Sequence, residues 1–110
     1  AIMSNDVMQY PDDSFENMKL FAKNYDFIFP YLFDESQEVA KQYGAVCTPD
    51  IFGFNNKNLL CYRGRIDSGV MNSDQKKIDR ELYNAMVKIK NDGIGPDKQL
   101  NSFGCSIKWK

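Results

Sequence analysis

The sequence predicts an α/β fold, and three observations support this prediction. Apolar residues alternate between strand-like and helix-like spacing, in the order strand, helix, strand, helix, strand, strand, helix. Hydrophobic residues make up 43% of the 110 residues and aromatic residues 14%, which is enough apolar material for the core of one small domain. Turn-forming residues separate the periodic segments, which is typical of short, closely connected elements.

The first strand and helix are predicted at the start of the chain. Residues 1–3 are apolar and lead into a polar cluster, so we expect them to be the end of a strand that begins upstream. Asp13 and Glu16 form an Asp variant of the capping box, which predicts a helix beginning there. Its apolar stripe contains Phe15, Met18, Phe21, Ala22 and Tyr25.

A second strand and helix follow. The segment 27–33 is apolar and aromatic, but Pro30 restricts it to an edge or connecting strand. Asp34 with Gln37 predicts a second helix cap, and Gly44 predicts the end of that short helix.

The second half is predicted to contain a hairpin, a longer helix and a tail. Strands at 51–54 and 59–66 flank a polar turn, and the second strand places Arg63 and Arg65 on one face. Ser73 or Asp74 is expected to cap a helix that ends near Gly93. We therefore divide the chain into a domain over residues 1–95 and a C-terminal tail over residues 96–110.

Composition excludes several classes of function. The net charge of −1 gives no general attraction for nucleic acid or an anionic membrane. We expect a soluble, cytoplasmic protein, because no run resembles a membrane span or a signal peptide. The absence of histidine removes imidazole bases and ligands, and the spacing of the three cysteines fits neither a disulfide framework nor a zinc knuckle. No cofactor and no metal are expected.

Three stretches resemble the AhpC/TSA redoxins, a family with the thioredoxin fold. They are Phe29-Pro30-Tyr31-Leu32-Phe33-Asp34-Glu35-Ser36-Gln37-Glu38-Val39-Ala40, Tyr43-Gly44-Ala45-Val46-Cys47-Thr48-Pro49-Asp50 with Tyr62-Arg63-Gly64-Arg65, and Gly104-Cys105-Ser106-Ile107-Lys108-Trp109-Lys110. The resemblance implies a thioredoxin-like three-layer fold. It also implies thiol–disulfide exchange or antioxidant peroxide reduction, with a protein thiol, a disulfide or a peroxide as the substrate.

The resemblance assigns roles to the turn between Cys47 and Asp50. It implies that the peptide bond before Pro49 is cis and that Thr48 and Pro49 bind the substrate. Family members also carry an upstream strand and a helix whose first turn holds the attacking cysteine. That segment does not precede Ala1 in this sequence, so we expect an incomplete fold with unpaired strand edges, which a second copy of the chain would complete.

The candidate reactive residues each have a simpler interpretation. Cys47 is a candidate redox or resolving thiol, or a small residue packed beside the turn. Arg63 and Arg65 are candidates for stabilising a thiolate, or two solvated charges on an exposed strand. Cys61 is interpreted as a packing residue, and Cys105 as a thiol that stays reduced in the cytosol.

The sequence leaves three functions open. The first is a redoxin that is catalytic in its intact form, with the attacking cysteine absent from this chain. The second is a non-catalytic thioredoxin-fold module that binds a partner strand at the same groove. The third is a fragment that is stable only by association with a copy of itself.

Overall fold

The computed structural model describes residues 1–70 and 74–110, and it confirms a mixed α/β fold. Two short 3-10 turns, Pro11–Asp13 and Gln75–Lys77, accompany the regular elements. In the described part of the chain, no helix combines the length and apolar character needed to cross a bilayer. The regular elements are β1 (Ile2–Met3), α1 (Phe15–Asn24), β2 (Leu32–Phe33), α2 (Glu38–Tyr43), β3 (Cys47–Thr48), β4 (Ile51–Phe54), β5 (Leu60–Gly64), α3 (Glu81–Asp92) and β6 (Cys105–Ser106).

The strands form three two-stranded sheets within the described residues. β1 pairs with β2 in parallel, β3 pairs with β6, and β4 pairs with β5 in antiparallel orientation. The sequence did not predict β3 or β6 as strands. The chain forms two compact units, of which the first contains 1–46 with 106–110 and the second contains 47–105. The predicted boundary between residues 95 and 96 lies inside the second unit.

Helix α1 begins one residue later than its sequence signal indicates. Ser14 is the N-cap, and its hydroxyl accepts a hydrogen bond from the Asn17 backbone N–H at 3.4 Å. The prediction of Asp13 as the cap is therefore wrong, because Asp13 ends the preceding 3-10 turn and accepts from the Asn5 side chain at 2.9 Å. Of the predicted apolar stripe, only Met18 is fully buried.

The aromatic segment before β2 is mostly irregular. The predicted strand over residues 27–33 is reduced to its last two residues, since Pro30 cannot donate to a strand ladder. Instead, the aromatic rings pack on one another: the Phe27 ring centroid lies 5.5 Å from Phe21, 4.5 Å from Phe29 and 5.3 Å from Tyr31. These side chains gain apolar contacts without belonging to a sheet.

Helix α2 begins later than its sequence signal indicates, because its N-cap is Gln37 and not Asp34, although the Asp34 carboxylate still satisfies the first turn. The helix begins at Glu38, and the Asp34 carboxylate accepts hydrogen bonds from the backbone N–H groups of Val39 at 3.3 Å and Ala40 at 3.0 Å. Gln37 makes no capping bond with its side chain. Gly44 ends the helix with φ of 66°, which confirms the predicted stop because glycine adopts this left-handed conformation readily.

The second unit contains the predicted hairpin. Phe52 pairs with Arg63 and Gly53 with Tyr62, and the register shifts between Gly53 and Phe54. Tyr62 is 1% exposed and forms a hydrophobic core with Ala85 and Ile89 of α3. Strand β5 ends at Gly64, two residues before the predicted end.

Helix α3 starts later than predicted and ends where predicted. Asp74 caps the 3-10 turn Gln75–Lys77 by accepting from the Lys76 N–H at 3.0 Å, and α3 begins only at Glu81. The other predicted cap, Ser73, lies outside the described residues. Gly93 adopts φ of 74° at the C-cap, which confirms the predicted end.

Candidate functional site

The candidate site lies in the second unit, where β3 turns into β4. Thr48 and Pro49 are exposed, and the peptide bond between them is cis, as the resemblance implies. Cys47 is half-buried, and its sulfur lies 3.6 Å from the Pro49 carbonyl oxygen. The turn therefore presents two surface residues with a thiol directly beneath the bend.

The tail supports this turn at close range. Strand β6 pairs with β3, and a Cβ at Gly104 would overlap the carbonyl oxygen of Thr48. Only glycine permits backbone segments to approach this closely. The C-terminal tail, which the sequence analysis separates from the domain, thus supports the turn.

Asp50 anchors the other side of the turn. Its side chain is only 4% exposed, and it accepts a hydrogen bond from Arg63 Nη2 at 3.2 Å. Ser102 Oγ lies 2.9 Å from Asp50 Oδ1 and 2.6 Å from the Gly64 carbonyl oxygen, so its single proton serves one of the two at a time. The Arg63 guanidinium also lies over the Phe52 ring, 4.9 Å from its centroid.

The surroundings of Cys47 raise the pKa of its thiol. Burial raises the pKa of Cys47, the Asp50 carboxylate raises it further, and the Arg63 guanidinium lowers it by less than the other two effects together. Because the thiolate is the nucleophilic form of cysteine, a raised pKa leaves little of it at neutral pH. The surroundings of Cys47 are thus the opposite of those that activate a thiol.

Arg65 lies directly after β5 and not on the strand as predicted, and it binds a different carboxylate. Its Nε and Nη2 atoms donate to Glu81 Oε1 at 2.8 and 2.5 Å. The pair links the end of β5 to the first residue of α3. Of the two predicted arginines, Arg63 therefore contacts Asp50, which lies beside Cys47. Arg65 instead joins the end of β5 to α3.

Of the other two cysteines, Cys105 belongs to β6, the strand that pairs with β3 beside the turn, and Cys61 belongs to β5. Cys61 is half-buried on β5, with its sulfur 3.3 Å from the Leu59 carbonyl oxygen, and Cys105 is exposed. All three thiols are free. Across residues 1–70 and 74–110, no three His, Cys, Asp or Glu side chains are grouped so that they could hold a metal ion.

Sequence reasoning missed three residues of this region. Asp50 is a charged residue at the head of an apolar strand, and that position was a signal for a buried ionic contact. Ser102 carried no comparable signal. Gln99 extends the edge of β5, since its side chain accepts from the Arg63 N–H at 2.8 Å and donates to the Cys61 carbonyl at 3.0 Å.

Comparisons with known proteins give structural relatives for the chain. No protein-family model and no curated protein matches it. The crystal structure of an uncharacterized conserved protein from Geobacillus kaustophilus matches all of this chain with 47% identity and a TM-score of 0.87. A hypothetical protein from Sinorhizobium meliloti 1021 matches all of it with 38% identity and a TM-score of 0.87. The chain spans 58% and 60% of the lengths of these two solved chains.

Proposed function

We propose that this chain carries the substrate-binding side of a thioredoxin-like redox site of the AhpC/TSA redoxin type. The observation that carries the proposal is the exposed Thr48–Pro49 turn, held between the half-buried Cys47 thiol and the buried Asp50 carboxylate. A turn fixed on both sides is suited to binding an extended polypeptide, because its geometry is set before the partner arrives.

The proposal assigns Cys47 a supporting role in the reaction. In thiol–disulfide exchange, a thiolate attacks one sulfur of a disulfide, a new S–S bond forms, and the other sulfur leaves as a thiolate. Burial and Asp50 raise the pKa of Cys47, so this residue is a poor attacking group. We therefore assign the attack to a cysteine outside these 110 residues, and we assign substrate recognition to Thr48 and Pro49.

A second candidate function is a non-catalytic module that binds a partner strand at the same turn. The raised pKa of Cys47 favours it, because binding needs no thiolate. In both cases an extended peptide lies against Thr48 and Pro49. The two functions differ in whether the partner must carry a thiol or a disulfide.

Binding and turnover test the proposal on the 110-residue chain. An isotope-labelled sample is titrated with an extended cysteine-containing peptide and with its serine analogue, and backbone shifts are followed by NMR. We expect shifts at Thr48 and Asp50 with both peptides, because recognition is assigned to the turn and the attack to a cysteine outside these 110 residues. No shift near the turn would contradict both functions.

Variants separate recognition from chemistry. Thr48→Trp should weaken peptide binding about tenfold, since a bulky side chain on the exposed turn obstructs the partner. Gln42→Trp, on the exposed surface of α2, is the matched control and should bind normally. Cys47→Ser should also bind normally. Reduction of insulin or peroxide by the chain alone, abolished by Cys47→Ser, would show that Cys47 is the attacking residue after all.

A further inference from the structure

The second unit contains a cavity of about 720 Å³ between the hairpin turn and the end of α3. Its apolar lining includes Phe54 and Leu59 from the hairpin and Met86 and Ile89 from the helix. Ile89 is buried, whereas the other three are partly exposed to solvent. The volume of the cavity lies within the range of natural pockets for small ligands, about 300 to 1,000 Å³.

The charges around this cavity are unbalanced. Lys57 and Lys90 both line it, and neither ammonium group has a carboxylate partner in the described part of the chain. The one acidic lining residue, Asp92, is neutralised by Lys88 at 2.8 Å and accepts a hydrogen bond from the Ile94 N–H at 2.9 Å. The surroundings therefore carry an excess of positive charge.

The Asn55 side chain links the two walls of the cavity. Asn55 Oδ1 accepts hydrogen bonds from the backbone N–H groups of Lys57 at 2.9 Å and Leu59 at 3.0 Å, which fixes the hairpin turn. Its Nδ2 donates to the Gly93 carbonyl at 3.2 Å, which joins the turn to the end of α3. Both walls thus come from regular elements linked by hydrogen bonds, and this limits the conformational cost of binding.

From these observations we propose that the cavity binds a small organic anion with an apolar body, of the class of medium-chain carboxylates. The apolar body contacts Phe54, Leu59 and Met86, and the carboxylate lies between Lys57 and Lys90. A charged head group and an apolar chain match the two kinds of surface present. None of the residues that line this cavity belongs to the Thr48–Pro49 turn, so the proposal is independent of the proposed redox function.

Titration of the full 110-residue chain with sodium octanoate tests the proposal. NMR should show saturable shifts at Leu59, Met86 and Ile94, and octanol and octylamine should bind several-fold more weakly than octanoate. The double variant Lys57→Met/Lys90→Met should bind octanoate about tenfold more weakly, since two ion pairs at a solvent-accessible site contribute about 0.2 to 1 kcal/mol each. Lys98→Met, which alters an exposed lysine outside the lining, should bind as the parent chain does.

Each alternative result overturns a stated part of the proposal. Equal binding of octanol and octanoate, or unchanged binding by the double variant, would remove the role of the lysines. A lack of saturable binding, or shifts located elsewhere, would remove the site. Unchanged circular dichroism of the lysine variants would confirm that weaker binding does not come from unfolding.

Discussion

The two units differ in the kinds of side chain that they bury. Each unit buries apolar residues, which are Met18, Ala40 and Ile107 in the first and Tyr62, Ala85 and Ile89 in the second. The first unit also buries the polar residues Ser4, Asp6, Asp34 and Gln37. In the first unit, Gln37 is 1% exposed, and its Nε2 donates to the carbonyls of Ser4 at 2.7 Å and Lys108 at 2.8 Å. The first unit therefore combines buried apolar residues with specific buried hydrogen bonds, whereas the core of the second is mainly apolar.

This difference explains where functional residues are found. A buried polar network tolerates little change, because each unpaired group costs free energy. An apolar core leaves the polar residues of its surrounding strands available for other contacts. In the second unit, Asp50, Arg63 and Ser102 form such contacts beside the candidate site.

The difference between the two units is tested most directly at Gln37. Gln37→Met keeps the size of the side chain but leaves the Ser4 and Lys108 carbonyls and the Lys110 N–H, which lies 3.0 Å from Gln37 Oε1, without this partner. We expect a loss of about 4 kcal/mol in the free energy of unfolding, since each buried polar group left unpaired costs about 1 to 3 kcal/mol. Urea denaturation measures this loss.

Gln42→Met is the matched control for this prediction. Gln42 is exposed on α2, so its replacement should change stability by less than about 0.5 kcal/mol. Equal stability of the Gln37 and Gln42 variants would show that the buried network contributes little.

The core of the second unit is tested by Ile89→Ala. Ile89 is 5% exposed, and its truncation should cost about 3 kcal/mol through lost burial and the cavity left behind. Val87→Ala is the control on the same helix, where Val87 is 41% exposed, and it should cost less than about 1 kcal/mol. Chemical denaturation of both variants would sharpen the comparison, because similar losses would mean that this core is not the main source of stability.

A third prediction concerns pH and the first unit. Burial alone would raise the pKa of Asp34, but hydrogen bonds from the Ala40 N–H, the Ser4 hydroxyl, the Val39 N–H and the Ser36 hydroxyl outweigh it and hold the pKa below its usual value. A lowered pKa in the folded state means that stability is complete above about pH 4, the unfolded value, and falls as pH decreases through the folded value.

Asp34→Asn should remove this part of the pH dependence. An amide places a donor where the carboxylate accepts from Val39, Ala40 and Ser4, so we expect a loss of about 2 kcal/mol at pH 7. Urea denaturation between pH 3 and pH 7 measures both effects. Parallel stability curves for the variant and the parent chain would contradict the role of Asp34.

Local signals predicted the hairpin and the helix ends, and non-local contacts were not predictable. Gly44 and Gly93 end helices through their own backbone conformation, which a single residue reveals. The start of α3 was missed because Ile78 continues the apolar spacing of the helix although it precedes Glu81. Asp74 caps a 3-10 turn with the same side chain that would cap a helix.

Long sequence separation hid the rest of the candidate site. Ser102 contacts Asp50 across 52 residues, and β6 pairs with a strand near the middle of the chain. No spacing rule within one sequence connects such positions. Cys47, Thr48, Pro49 and Arg63 entered the candidate site through the resemblance, which rests on short stretches of sequence. The direction of the pKa shift at Cys47 required the neighbouring charges to be located.

The smallest expected effect concerns the charges beside Cys47. Asp50→Asn removes the negative charge that raises the pKa of Cys47, so the pKa should fall and the thiolate fraction at pH 7.5 should rise. Arg63→Met removes the charge that lowers this pKa and should have the opposite effect. In a Cys61→Ser/Cys105→Ser background, we expect iodoacetamide to react about threefold faster with the first variant and more slowly with the second.

The pH profile of alkylation distinguishes electrostatics from exposure. If Asp50 acts through its charge, the Asp50→Asn profile shifts to lower pH and reaches the same plateau rate as the parent chain, because the fully formed thiolate is equally accessible in both. A higher plateau at unchanged midpoint would mean that the variant has opened the turn by loosening the Ser102 contact. A downward shift alone would establish that the Asp50 charge adds to the effect of burial in raising the pKa of Cys47, and this would strengthen the assignment of Cys47 as a supporting rather than an attacking residue.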